Sequence, residues 1–210
     1  MKKKNRGLFI TFEGGEGAGK TTLMHSIYQT LLEQGKAVIQ TFEPGATSIG
    51  KIIRSFLLDK TEEAPSKTCE LFLFLADRAH HVQEVILPAL QEGKMVLCDR
   101  FNDSTLAYQE DASPFDESLL HSLCMAAARG LTPDLTLYLD IDPKIGLNRV
   151  KKRKKSDRFE DKVLSFHEKV RARFLRLAQE DPQRVHLLRA EERKETIYAQ
   201  ALSVIESLYG

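Results

Sequence analysis

The segment FITFEGGEGAGKTTL, Phe9 to Leu23, limits the fold more than any other part of the chain. A run rich in β-branched and aromatic residues stops at Glu13, and Gly14, Gly15, Gly17 and Gly19 follow before Lys20 and two threonines. Such a run reads as a buried strand. Leu23, Ile27, Leu31 and Leu32 then recur on one helical face until Gly35, so an amphipathic helix starts where the glycines end. Strand, glycine loop and helix in direct succession turn backbone N–H groups inward at a helix amino end, which makes a cradle for phosphate. Glu16 sits inside that loop, a carboxylate where an anion is to be held.

Gly14-x-x-x-x-Gly19-Lys20-Thr21 matches the Walker A pattern. Gly14, Gly15, Glu16, Gly17, Ala18, Gly19, Lys20, Thr21 and Thr22 are therefore the expected ATP-binding segment. Lys20 is expected to reach the β- and γ-phosphates, and Thr21 to hold Mg2+ through its hydroxyl. Further short apolar runs stand at 37–42, 95–99, 135–141 and 184–188, separated by longer helical patterns. Strands alternating with helices predict parallel pairing and right-handed crossovers. The expected fold is α/β, three-layered, with a five-stranded parallel sheet flanked by helices, and residues 1–210 read as a single domain. No apolar run approaches a membrane span. The basic start and its seven-residue apolar stretch run straight into the glycine loop, which argues against a signal peptide. Three widely spaced cysteines, Cys69, Cys98 and Cys124, fit a reducing cytoplasm better than a disulfide framework. Cys98 reads as a small buried residue. His80, His81 and Glu84 share a helix turn but lack a third convergent ligand, so they read as a solvated helix face.

A triphosphate cradle names no reaction. A nucleotide switch, a motor-type ATPase and a small-molecule kinase stay open, although the DxxG and NKxD motifs of a GTPase switch are missing. A kinase needs a second anion site. Asp99 follows the third apolar run, where an acid near Mg2+ would stand, and Arg100 follows at the carboxyl edge of the sheet, where such folds bind ligands. A guanidinium suits phosphate, yet a structural Asp–Arg pair fits the fragment too. Phe74 and Arg78 are i and i+4 on one helix face, suited to stacking a base and bonding its edge, or to core packing and a surface role. Six of the seven residues 149–155 are Lys or Arg in a chain of net charge +1. Alone, that run reads as a solvated or nucleic-acid-binding patch.

Taken together, FEGGEGAGKTT, EPG at 43–45, LFLFLADRA, DRFNDSTLAYQ, PDLTLYLD at 133–140 and DRFE at 157–160 resemble the thymidylate kinases, in family order, from about residue 8 to 180. The resemblance implies transfer of the γ-phosphoryl of ATP to dTMP, with dTMP and ATP as partners, Mg2+ as cofactor, a homodimer, and neither nucleic acid nor membrane. It implies that Phe74 stacks on thymine, that Arg78 bonds a base carbonyl, and that Arg100, helped by Arg54, grips the dTMP phosphate. Thr105 and Gln109 would lie near the base, Tyr108 against the sugar, Asp99 near Mg2+, and Glu16 beside the 3′-hydroxyl of dTMP. It makes 149–160 a lid that closes over ATP, with Arg153 and Arg158, and more weakly Arg149, at the transferring phosphates. Gly17 stands where another branch of the family carries a loop arginine, so here the lid is expected to supply the positive charge. Phe42 and Ala46 depart from the usual REPGG. A kinase for another deoxynucleotide and a P-loop regulatory ATPase remain the alternatives.

Overall fold

The computed structural model describes residues 6–58, 65–109, 114–152 and 158–209. Five strands form one parallel sheet: β1 (Phe9–Glu13), β2 (Val38–Phe42), β3 (Met95–Asp99), β4 (Leu135–Asp140) and β5 (Val185–Arg189). Their order is β2-β3-β1-β4-β5, and their bounds agree with the sequence reading to one residue. β1 lies at the centre between β3 and β4, so the loops leaving β1 and β3 meet at the carboxyl edge, where ligands bind in such sheets.

The three central strands β3, β1 and β4 are covered on both faces and buried almost throughout, whereas the edge strands β2 and β5 each have exposed positions. Ile10 and Phe12 pack towards α1 (Lys20–Glu33) and α9 (Lys194–Glu206), among Ile27, Leu31, Ala201 and Ile205. Each of the large side chains among them contributes about 1.5–3 kcal/mol by leaving water. Leu32, expected on the same face, is exposed instead. The alternate residues of β1 face the opposite layer, where Phe9 joins Val82, Ile86 and Phe101.

That second layer holds α2 (Ser48–Leu58), α3 (Lys67–His81) and, after a π-helical turn at Val82–Ile86, α4 (Leu87–Gln91). It continues with α5 (Asn102–Gln109), α6 (Glu117–Ala127) and α8 (Leu164–Glu180), and α7 (Pro143–Lys151) enters the basic run. The helix starts are set locally. The Ser66 and Asp116 side chains accept N–H groups of Cys69 and Leu119, and Asp142 caps α7 ahead of Pro143. The histidine reading needs correction. His81 is fully buried, because its ring meets Thr41 on β2 and Glu43 just beyond it, rather than solvent. Cys98 and Cys124 are buried, Cys69 is exposed, and all three are free. Among the described residues no helix is long and apolar enough to cross a membrane.

Candidate active site

The glycine loop leaves β1 through three residues of positive φ, Gly14 at 144°, Gly17 at 69° and Gly19 at 96°, a conformation that a Cβ disfavours. At Gly17 a Cβ would also stand 2.2 Å from the carbonyl oxygen of Gly146 on α7. The Lys20 ammonium is buried and folds back onto its own loop, donating to the carbonyls of Gly14 and Gly15 at 2.9 and 3.0 Å. Burial, and then the Arg100 charge, lower its pKa against the pull of Glu16 and Asp99. The Thr21 hydroxyl donates to Asp99 Oδ2 at 2.5 Å. A hydroxyl and a carboxylate joined at the end of β3 are hard oxygen donors of the kind Mg2+ takes, with water and phosphate oxygens completing its shell. The residues therefore fit that ion.

Arg100 is the hub. Its φ of 72° is rare for a side-chain-bearing residue, and its neighbours hold it there. Its N–H donates to Phe12 O at 3.0 Å. The next N–H, of Phe101, donates to Glu13 Oε1 at 2.7 Å, and Ser104 Oγ donates to Glu13 Oε2 at 2.6 Å. Glu13 is wholly buried, and burial followed by Asp103 pushes its carboxyl up to about 8. The Arg100 guanidinium lies 5.1 Å over the Tyr108 ring and donates to Gly14 O, to Ser104 Oγ and, at 2.9 Å, to Glu16 Oε1. Tyr108 donates its hydroxyl to the same Glu16 oxygen at 2.7 Å. Burial alone would raise the Glu16 carboxyl, but Arg100, then Lys20 and the Tyr108 hydroxyl, outweigh it and hold it at about 2. The loop carboxylate is thus turned away from the phosphate cradle.

It is turned into a pocket. Glu16, Arg54, Phe74, Arg78, Arg100, Thr105, Tyr108 and Gln109, all expected in the acceptor site, line one cavity with Glu43, Pro44, Ser104 and Phe159. Arg78 is buried, not a surface residue. Its Nε donates to Glu43 Oε2 and its Nη1 to Thr105 Oγ1, each at 2.8 Å. Glu43 also meets His81 Nδ1 at 2.9 Å. Its carboxyl is held below the ordinary range, because Arg78 and His81 outweigh the effect of burial. Arg54 donates to Pro44 O at 2.6 Å, with its guanidinium 5.6 Å from the Phe42 ring. The Phe42 ring thus lies within cation–π range of the Arg54 guanidinium.

The basic segment divides. Arg149 donates to Gly17 O and Ala190 O at 3.3 Å, beside the phosphate loop. Arg153 lies outside the described residues. Arg158 is not brought to the cradle. Its Nη2 donates to Glu70 Oε2 at 2.6 Å and its Nε to Leu57 O at 3.1 Å, because a buried carboxylate on α3 holds it at the far rim. The adjoining Phe159 roofs the acceptor pocket, with ring contacts to Phe74 at 5.9 Å and Tyr108 at 6.1 Å. Sequence reasoning gave no role to Glu13, Glu43, Ser104, Phe159 or Glu70. All but Glu70 lie inside the motifs quoted above, and nothing local marks Glu70.

A phosphate loop at the centre of a parallel sheet, with an arginine-lined pocket beside it, defines a P-loop phosphotransferase with a small phosphorylated acceptor. Comparison with known proteins narrows this class. The family model described as Thymidylate kinase matches residues 12–201. A thymidylate kinase of Protochlamydia amoebophila is 43% identical, covering 99% of this chain and 96% of its own. One of Desulfovibrio desulfuricans is 45% identical over 95% of each chain. The crystal structure of thymidylate kinase from Ehrlichia chaffeensis superposes with a TM-score of 0.76 at 30% identity, covering 95% of this chain and 98% of that one. The chain belongs to the thymidylate kinase family.

Proposed function

We propose that this protein transfers the γ-phosphoryl group of ATP to dTMP, giving dTDP and ADP, as a single kinase domain over 1–210 with a lid at about 149–160. One observation carries the assignment of roles: Glu16, Arg100 and Tyr108 form a bonded partition with the cradle on one side and the Phe74–Arg78–Thr105 pocket on the other. Phosphoryl transfer asks for alignment and charge neutralisation more than for covalent chemistry. The loop amides and Lys20 hold the donor, Arg100 with Arg54 grips the acceptor phosphate, and Phe74 and Arg78 receive the base. Tyr108 and Glu16 border the sugar, and Thr105 and Gln109 the base. No strong base is required, because the attacking group is already a phosphate oxyanion. Thr21 and Asp99 would hold Mg2+, which when bound neutralises charge on the transferring phosphates. Arg149, and Arg153 by family resemblance, supply the positive charge that Gly17 leaves out of the loop. Closure over the pocket by Phe159 excludes water from the acceptor side.

A homodimer is supported by an apolar face. Ile49, Ile52 and Phe56 on α2 stand exposed, as do Phe72 on α3 and Leu119 on α6, and Ile52 is 71% exposed. α2 packs on α3 and α3 on α6, so the helices that carry these residues are neighbours. A cytoplasmic location is supported by three unbridged cysteines. The test of function is product analysis with Mg-ATP and each deoxynucleoside monophosphate in turn. dTDP from dTMP is expected. ADP without a new diphosphate would identify an ATPase, and a diphosphate from dGMP or dCMP alone would reassign the acceptor.

A further inference from the structure

Glu70 lies in the first turn of α3 with its side chain 1% exposed, and no step above uses it. Its two oxygens serve two different parts of the molecule. Oε1 accepts the Nε2–H of Gln109, at the end of α5, at 2.8 Å. Oε2 accepts the Nη2–H of Arg158, just beyond the basic run, at 2.6 Å. Lys67, one helical turn away, is 3.7 Å from Oε1. Gln109 is itself 1% exposed and borders the acceptor pocket. The second polar atom of its amide, Oε1, has no hydrogen-bond partner among the described residues.

A carboxylate paired to a guanidinium is an acceptor on both oxygens. A glutamine amide facing it must present the NH2 group, since the carbonyl would meet another acceptor. The Gln109 carbonyl is thereby turned off Glu70 and left buried at the pocket wall, where an acceptor without a donor is costly. Arg78, on the same pocket, is a donor only. A ring that offers an N–H beside a carbonyl satisfies both residues. A ring that offers a bare nitrogen beside an amino group is mismatched at both.

We propose that Glu70 is a positioning residue that sets the hydrogen-bond polarity of the acceptor pocket. By fixing the Gln109 amide it selects an imide pyrimidine over an aminopyrimidine, and through Arg158 it makes that setting depend on the seating of the segment that carries the Phe159 roof. The inference rests on the reading of this pocket as the thymidylate site. Glu70→Gln is nearly isosteric, yet it can donate as well as accept, so it frees the Gln109 amide to turn over.

The experiment measures the dTMP KM and the inhibition of dTMP phosphorylation by dCMP and by dUMP, in the unaltered chain and in Glu70→Gln. dUMP keeps the imide and lacks only the methyl. The expected result is a KM for dTMP raised about tenfold or more, with dCMP gaining about tenfold or more relative to dTMP and dUMP keeping its ratio to dTMP within about threefold. A merely structural role would weaken all three ligands together, and that result overturns the proposal. So does the absence of any gain by dCMP at every concentration reached. If Glu70→Gln loses its cooperative melt, the Glu70→Gln/Arg158→Gln pair, which leaves no unpaired buried charge, is measured in its place under the same criteria. Failure of the parent reading shows separately, as no dTDP from the unaltered chain with Mg-ATP and dTMP, and it overturns both.

Discussion

Replacing Glu16 with glutamine tests the partition between the two sites directly. The carboxylate accepts from Arg100 at 2.9 Å and from Tyr108 at 2.7 Å, with its side chain 13% exposed. Its carboxyl falls from an ordinary 4.5 to about 2. At about 1.4 kcal/mol per factor of ten in the equilibrium, this is about 3 kcal/mol of interaction that favours the charged form. Because the folded value is depressed, this stabilisation is complete above about pH 4.5 and is lost only as the pH falls through about 2. At pH 7.5 the neutral amide forfeits it, so Tm should fall by about 6–12 °C for a domain of this size. The same loss frees Arg100 from its anchor on the acceptor side, while the loop amides and Lys20 keep their places. kcat/KM for dTMP should fall by about tenfold or more, the effect of weakening one charge-assisted hydrogen bond on the acceptor side, worth about 1.5–3 kcal/mol. KM for ATP should stay within about threefold. A coupled ADP-release assay with each substrate varied in turn reads both, and differential scanning fluorimetry reads Tm. Equal losses for dTMP and ATP would refute the partition. An unchanged Tm would refute the electrostatic account of Glu16.

Asp99→Asn leaves Thr21 with a weaker partner and should raise the Mg2+ concentration for half-maximal rate by about tenfold or more, read from rate against free Mg2+; an unchanged requirement would remove Asp99 from the metal site. Burial, and then the Glu43 carboxylate, push Asp77 up to about 6, so folding favours its protonated form and its charge costs stability as pH rises from about 4 to about 6, by about 3 kcal/mol above that range. Asp77→Asn, whose carbonyl can still accept the N–H of Gly45, should raise Tm by several degrees at pH 8 and leave it unchanged at pH 4; equal shifts at both pH values would contradict this. Ile52→Lys places a charge among the exposed apolar residues of α2 and should convert the proposed dimer to a monomer in light scattering, whereas a dimer mass in both proteins would count against this face as the interface.

The sheet was legible because its central strands are short runs buried on both faces, and its edge strands, though partly exposed, keep β-branched or leucine residues between clear helical stretches. The phosphate loop was legible because all its parts lie within nine consecutive residues. Contacts between distant residues were not. Arg78 reaches Glu43 across 35 positions and Arg158 reaches Glu70 across 88, and no local pattern announces either pairing. The run at 149–160 shows as charge, but charge has no direction in a sequence. Arg149 turns to the phosphate loop while Arg158 turns to α3, and a buried carboxylate decides the second. His81 misled for the same reason, since its two partners lie on and just beyond a strand 40 residues earlier.

The contact between Gly17 and Gly146 bears on how such enzymes can diverge. A Cβ at Gly17 would lie 2.2 Å from Gly146 O, and one at Gly146 would lie 2.2 Å from Glu16 O. Neither glycine can take a side chain while the other segment stays in place. An arginine at position 17 therefore does not fit the present arrangement of the loop and α7. α7 must first withdraw, and with it Arg149, which rests on Gly17 O. The facing glycines thus tie the phosphate loop to α7, so that a side chain at either position requires a prior shift of the other segment.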